Sequence, residues 1–508
     1  MTTDNPIERM EARIREAGDL AAAFARDPHR TAYHFTPPAA WMNDINGALF
    51  WKGRYHIFYQ YNPHGAYWHL IQWGHASSAD LVHWVHHPVV LTPDADGPDR
   101  KGCYSGGALV SREGVPVLIY FGNPDGICLA RSSDDLLIEW TKDPGNPVIP
   151  QPVEGSADFG RYTIHDPCGW LADDQYYAAV NKSDPQDQGD AAYLFKSPDL
   201  RTWEYVDLFY RSRRAWTEGS EDCAVPDFFP LGDRHMLLFC SHLQGSQYYI
   251  GQVRNERFYP EIHGRMSWEG GHLGGPRTLL DASGRRIFFD WVRELRGNER
   301  ERTSGWSGVM TVPRLLSLDS GSQLQIDPVP ELEVLRMDAH RLGSMDLAAG
   351  AEVAVEGVGG DCLELAVEID LLNAREVGLK VRRSPGGKEE TAVSYDTEAA
   401  VLRVEVGRSS LDREIRYTRY RGLQPHLSER EQYVTAQEGP FELAPGERLT
   451  LRIFLDRSIL EVFANRRQCV TQRIYPTRTD STGISLFTRG GAARFLSLQA
   501  WTLAPTRI

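Results

Sequence analysis

SADLVHW (78–84) recurs twice along this chain, as SDDLLIEW (133–140) and SPDLRTW (197–203). In each copy an aspartate directly precedes a leucine, and a tryptophan closes the stretch. The aspartates, Asp80, Asp135 and Asp199, stand 55 and 64 residues apart. A four-stranded sheet with its loops takes about that much chain, and sheet-sized units repeated in series pack radially, as in a β-propeller. The surrounding sequence agrees. Short apolar and aromatic runs broken by Gly, Pro, Asn and Asp follow one another: ALFWKGRYHIFYQYNP (48–63), PVLIYFGN (116–123), QYYAAVNKS (175–183) and HMLLFCSH (235–242). These are strand and turn signals, and little helical periodicity interrupts them from residue 31 to about 320.

Either side of this region the pattern changes. Asn5 can cap a helix that Pro6 and Glu8 begin, and Ile7, Met10, Ile14, Ala17, Ala21 and Phe24 then form one apolar stripe. The stripe predicts a helical extension over 1–30 that packs on the following domain, with a partner or oligomer helix as the alternative. Residues 321–340 hold a turn cluster, two prolines and a short helical run, and read as a linker. Beyond them LELAVEIDLL (363–372), VLRVEVG (401–407), LRIFLDRSILEVFA (451–464) and GISLFT (483–488) alternate apolar and polar residues. Such alternation fits antiparallel sheets with one wet face, so 341–508 is expected to form a β-sandwich. The stretch 412–434, dense in both charges, breaks that pattern. It reads as a solvated loop, or as an interface with a second subunit or with the rim of an active site.

The whole-chain balance narrows the classes of function. Lys plus Arg number 55 and Asp plus Glu 69, a net charge of −14, so a nucleic-acid partner is not expected. Apolar residues at 41% and charged residues at 24% describe an ordinary globular composition, and no run approaches the roughly 18 apolar residues of a membrane span. The opening MTTDNPIERMEARIREAGDL carries no apolar secretory core. Seven cysteines, widely scattered and without a CxxC pair, suit reduced core thiols better than disulfides or zinc. A cytoplasmic protein with no metal and no cofactor is therefore expected, with a homo-oligomer left open. His83, His86 and His87 lie where a strand would scatter them to different faces.

Three acidic sites carry the chemistry. Asp44 stands in WMNDING (41–47), a plausible turn by itself, but with amide and aromatic company at Asn43, Gln60, Trp68, Trp73, Tyr104 and Ser105. Asp166 lies in His165-Asp166-Pro167, and Glu221 begins the segment EDCAVPDFF (221–229). Asp166 and Glu221 are 55 residues apart, one repeat step, and Asp44 and Asp166 are 122 apart, close to two. Equivalent positions on propeller sheets converge on the central axis, so the three acids can meet. Glycoside hydrolysis needs such a set: one carboxylate attacks the anomeric carbon and one carboxylic acid protonates the leaving oxygen.

Taken together, WMNDING, FYQYNP (58–63), the His-Asp-Pro triplet, the 221–229 segment, GWSGVMTVPRLLSL (305–318) and LRIFLDRSILEVFANR (451–466) resemble glycoside hydrolase family 32. This is the β-fructosidase family of invertases, levanases, inulinases and fructan transferases, and the resemblance runs in order over about residues 30–505. It implies an all-β chain: a five-bladed β-propeller over 31–320 followed by the β-sandwich. It also implies a retaining hydrolase that cleaves β-fructofuranosidic bonds of short oligosaccharides through a covalent fructosyl-enzyme. By the same resemblance Asp44 matches the nucleophile, Asp166 the transition-state stabiliser and Glu221 the acid/base, with Glu218 as its rival. Asn43, Gln60, Trp68, Tyr104, Ser105, His165 and Trp291 are expected to bind substrate. Arg293 and Glu294 either line the pocket or form a rim salt bridge. The chain departs from the family at His165, where an Arg is usual, at Ile45, where a Pro is usual, and at His272-Leu-Gly-Gly275-Pro276, where aromatics are missing. These departures suggest an altered sugar subsite. Fructosyl transfer, difructose-anhydride chemistry and non-catalytic sugar binding are the alternatives.

Overall fold

The computed structural model describes residues 5–24, 26–180 and 189–506. Residues 181–183 of the expected strand QYYAAVNKS, and the ends of the chain assigned to the first and last domains, lie outside them.

The three Asp-Leu…Trp copies are one turn used three times, between the third and fourth strands of the first three sheets. In each, a serine hydroxyl at the strand end accepts the aspartate N–H: Ser78 from Asp80 at 3.1 Å, Ser132 from Asp134 at 3.3 Å, Ser197 from Asp199 at 3.2 Å. The carboxylate then accepts the N–H groups of the turn, including Val82, Leu136 and Arg201. A leucine follows in the left-handed region, with φ of 65° at Leu81, 57° at Leu137 and 63° at Leu200. That conformation is costly for a branched side chain unless neighbouring bonds hold it. The tryptophan supplies one, since Trp84 and Trp140 Nε1–H donate to the carbonyls of Leu81 and Leu137 at 3.1 and 2.8 Å. Asp134, not the expected Asp135, fills the repeated position, because the second copy carries two extra residues.

Five sheets, antiparallel apart from a short parallel pairing of Trp306–Ser307 with the first strand, follow one another between residues 40 and 328. Their first strands, Ala40–Trp51, Cys103–Val110, Pro167–Ala172, Ala224–Leu231 and Leu273–Leu280, contact each other in sequence, and the last returns to the first. Separate apolar clusters fill the gaps between neighbouring sheets, for example Leu109, Ile119, Tyr162 and Phe195 between the second and third. Face-to-face burial of such large side chains holds the ring, each stabilising by roughly 1.5–3 kcal/mol. Four of the five first strands are bulged near their start. Pairing skips between Met42 and Ile45, Cys103 and Gly106, Ala224 and Asp227, and Gly274 and Arg277. A bulge leaves residues unpaired and re-aims them. The residues freed here are Asn43–Asp44, Tyr104–Ser105, Val225–Pro226 and Gly275–Pro276.

A seven-stranded and a six-stranded antiparallel sheet form the sandwich, with Leu365, Ile453, Leu379 and Val393 in its core. Within 321–340, Leu324–Pro328 is the last strand of the fifth sheet and Arg336–Leu342 pairs with Ala493–Leu503 of the sandwich. Only the turn of helix Pro330–Leu335 and Val329 lie between. The N-terminal helix Pro6–Phe24 packs on Trp84–Leu91 and buries Ala17, while Ile7, expected in the stripe, is 53% exposed. Asn5 Oδ1 accepts the Ile7 N–H at 3.0 Å, as a cap should. His86 and His87 are buried in the first sheet, where the His87 ring lies tilted against that of His75 at 4.4 Å. Among the described residues no helix is long and apolar enough to cross a membrane.

Polar bonds join sandwich to propeller. His34 is buried between Asp456 at 2.9 Å and Glu461 at 3.0 Å, and Glu461 also pairs with Arg314 and accepts the Val312 N–H at 2.6 Å. Glu294, expected at the pocket or in a rim salt bridge, belongs to a second buried joint with Arg296, Arg473 and Tyr475.

Candidate active site

Asp44 sits half-buried on the first bulge. Its Oδ2 accepts the Ser105 hydroxyl at 2.8 Å, and Gln60 Nε2 donates to that same hydroxyl oxygen at 2.5 Å. With its amide oriented to match donors to acceptors, Asn46 also donates to Ser105 Oγ at 3.1 Å and accepts Trp73 Nε1–H at 2.9 Å. Two sheets therefore combine to aim one carboxylate. Gly275, with φ of 78°, packs on it so closely that a Cβ there would lie 2.6 Å from Asp44 Cα. Asn43 turns back to accept Trp41 Nε1–H at 3.1 Å.

Burial and the neighbouring Asp166 carboxylate raise the Asp44 pKa, while Arg421, the Ser105 bond and His242 oppose that rise. Asp166 is buried as well, yet the His165 charge and bond, at 3.1 Å, together with His242 and the Val225 N–H at 3.2 Å, hold it below the usual carboxylate value. One carboxylate of the pair is thus secured as an anion while the other titrates higher, the separation expected where two acids share a site. Ser105→Ala removes a bond that favours the Asp44 anion. Bonds to charged groups are worth roughly 1.5–3 kcal/mol, so the acidic limb of kcat/KM should move up by about one pH unit or more. A pH–rate profile of that variant checks the result.

The other expected residues fall around this pair. Tyr104 lies 6.1 Å from the His165 ring and 5.9 Å from Trp68, which is 53% exposed. Trp291 is buried, 6.2 Å from Trp41. Glu221 is placed differently from a free proton donor. Its buried carboxylate accepts both Arg265 Nη1–H and Nη2–H, at 3.2 and 3.1 Å, as well as Gln247 at 2.7 Å and the Glu218 N–H at 3.0 Å. Burial works against the anion, but Arg265 outweighs it and lowers the pKa. Its rival Glu218 is exposed, beside Tyr420. Asp222 bonds His242 at 2.7 Å, and that partnership raises the imidazole pKa.

Sequence reasoning missed His242, Cys240 and Arg421. Arg421 comes from the charged stretch 412–434, which lies on the propeller at the site rather than in open solvent. Its Nη1–H donates to Cys240 Sγ at 2.6 Å, and its guanidinium lies 5.7 Å from the Trp291 ring. Gly274 leaves the space it fills, since a Cβ there would collide with Nη2. The pair Gly274-Gly275, standing where the family's aromatics are missing, was the available signal. No set of three or more His, Cys, Asp or Glu gathers as metal ligands among the described residues.

A ring of five sheets backed by a sandwich, with the Asp44 and Asp166 carboxylates brought together at its inner strands, fits a glycosidase of the propeller type. The chain matches the glycosyl hydrolases family 32 N-terminal domain over residues 34–328 and the family 32 C-terminal domain over 331–502, and it belongs to that family. It is 31% identical over 504 residues to a sucrose-6-phosphate hydrolase of Escherichia coli, covering 94% of each chain. It is 30% identical over 549 residues to an insoluble β-fructofuranosidase isoenzyme of Oryza sativa subsp. indica, covering 93% of this chain and 90% of that one. The crystal structure of fructan 1-exohydrolase IIa from Cichorium intybus superimposes with a TM-score of 0.82 at 25% identity, covering 95% of this chain and 98% of that one.

Proposed function

We propose that the protein hydrolyses β-fructofuranosidic bonds of short fructose-containing oligosaccharides, retaining configuration through a fructosyl-enzyme on Asp44. The observation that carries this reading is the Asp44–Ser105–Gln60 chain beside Asp166: one carboxylate aimed by hydroxyl and amide, the next one held as an anion. Asp44 attacks the anomeric carbon, its ester forms as the glycosidic C–O bond breaks, and a protonated acid delivers its proton to the leaving oxygen. Water, deprotonated by the same group, then cleaves the ester. Asp166 stabilises the positive charge that develops on the ring. The names of the relatives support the substrate class, as does the chicory enzyme, also solved with 1-kestose.

The proton donor belongs to the segment Glu218–Asp222, in which the family resemblance designates Glu221. Seven free thiols, six of them buried, support a reducing, cytoplasmic setting. The test is a hydrolysis screen of sucrose, sucrose 6-phosphate, kestose, inulobiose, levanbiose and difructose anhydrides, with Glu218→Gln, Glu221→Gln and Asp222→Asn run alongside. General acid catalysis contributes roughly 10²–10⁴-fold. The variant of the true donor should lose that much on sucrose, lose far less on a fructoside with an acidic leaving group, and recover rate with azide. A protein that binds these sugars and cleaves none of them is a sugar-binding protein, and the hydrolase reading then fails.

A further inference from the structure

The sandwich reaches into the site through one guanidinium. Residues 418–421 of the stretch 412–434 are pinned to the propeller. Arg421 N–H donates to the Leu243 carbonyl at 3.1 Å, the Gly270 N–H to the Arg419 carbonyl at 3.3 Å, and Thr418 meets His272 at 3.2 Å. Arg419 pairs with Glu269, and Arg293 donates to the Arg421 carbonyl. Backbone and side-chain bonds therefore fix the position of Arg421, whose long side chain would otherwise cost entropy to hold.

What this device presents is an incompletely bonded cation. Nη1 uses Cys240 Sγ and the Ser241 carbonyl, at 2.6 and 3.4 Å. Nε is buried without an acceptor, and among the described residues no acceptor bonds Nη2 and no carboxylate lies within ion-pair distance of the group. A guanidinium has five donors, and leaving them unbonded in a partly desolvated place is costly unless something else arrives to accept them. The titratable and charged groups that face it are Asp44, Asp222, Asp290 and the Cys240 thiol, together with Arg293, His242 and His272. Carboxylates on one side and Arg293 and His242 on the other leave the surroundings of Arg421 mixed in charge, which suits a neutral, oxygen-rich ligand.

We propose that Arg421 is a substrate-binding residue whose Nη2–H donates to a ring hydroxyl of the bound fructofuranosyl unit, so that the sandwich completes a site built by the propeller. The inference rests on the fructoside reading above. It makes the second domain part of the binding site, and it gives the close-packed Gly274 its purpose. Since Arg421 also leads the charges that favour the Asp44 anion, its loss should be felt in the pH profile.

The experiment uses the full chain with Arg421→Ala and Arg421→Lys, reading kcat, KM, the pH profile and thermal unfolding on whichever fructoside the wild type cleaves best. Arg421→Ala should raise KM at least tenfold, move the acidic limb to higher pH and recover part of its loss with added guanidinium at millimolar concentration. Arg421→Lys should restore the limb, which needs only charge, while KM stays high. The phosphorylated and neutral sugars should suffer alike. If the wild type cleaves fructosides and Arg421→Ala matches it in KM, the inference is overturned while the fructosidase reading stands. A loss seen only together with a lowered unfolding temperature, without guanidinium rescue, also overturns it. A loss confined to phosphorylated sugar would reassign the cation to phosphate. A wild type inactive on every fructoside overturns the reading itself.

Discussion

Asp44→Ala should lower kcat on the preferred fructoside by on the order of 10⁵, because removing the attacking atom of a covalent mechanism abolishes the intermediate itself. The geometry explains why the loss is that large and not partly compensated. Among the described residues no other carboxylate shares the Ser105 bond, and the neighbouring Asp166 is engaged by His165 and the Val225 N–H. The fold should tolerate the change, since Asp44 lies in an unpaired, irregular part of its strand, and of the Asp44 atoms that Gly275 approaches alanine keeps Cα and Cβ and loses only Oδ1. Sugar binding, followed by calorimetry, should survive within about tenfold. A residual rate above about a hundredth of wild type would remove Asp44 from the mechanism. Unchanged cleavage chemistry with a trapped sugar ester on another residue would do so directly.

Glu461→Gln should destabilise the joint between the domains by roughly 3–5 kcal/mol, the usual cost of leaving a buried charge without its partner. Glu461 is fully buried and meets four donors at once: Arg314 from the fifth sheet, His34 from the approach to the first, the Val312 N–H and the Thr471 hydroxyl. Glutamine keeps the shape but leaves the Arg314 guanidinium with only the Thr471 hydroxyl, since among the described residues its Nε and Nη1 have no partner even in the native arrangement. The linkage to pH has two sides. Burial opposes the His34 imidazolium, but Asp456 and Glu461 outweigh it and raise its pKa, so its contribution is complete below 6.5 and fades as pH rises through the raised value. Burial likewise opposes the Glu461 anion, but Arg314 and His34 lower its pKa. That contribution is complete above 4.5 and is lost as pH falls through the lowered value. The wild-type joint is therefore strongest between those limits. Calorimetry across pH, with the variant alongside, checks it. A variant that unfolds within a degree of wild type throughout would show that the joint contributes nothing.

The segment LRIFLDRSILEVFANR shows how much of this was legible. Its alternation predicted paired strands, and Leu449–Asp456 and Ile459–Ala464 form them. Nothing in it said that Asp456 and Glu461 reach back across more than 400 residues to His34. The turn repeat was equally clear as a unit and misleading by one residue, because Asp134 and Asp135 are indistinguishable until bonds choose between them. Glu221 was found by motif, but its partner Arg265 sits on the far strand of its own sheet, where no local pattern marks it.

The amino-acid order alone determined the strands, the turns that separate them, the repeat that makes the sheets successive, and the presence of Asp44 and Asp166 at strand starts. Those features are local: side-chain alternation, left-handed turns and capping bonds act over a few residues. Tertiary structure alone decided which carboxylate titrates high, that Glu221 lies against Arg265, and that Arg421 enters the site from another domain. Charge acts through space and burial is a property of the assembled surface, so these outcomes exist only once distant segments have met.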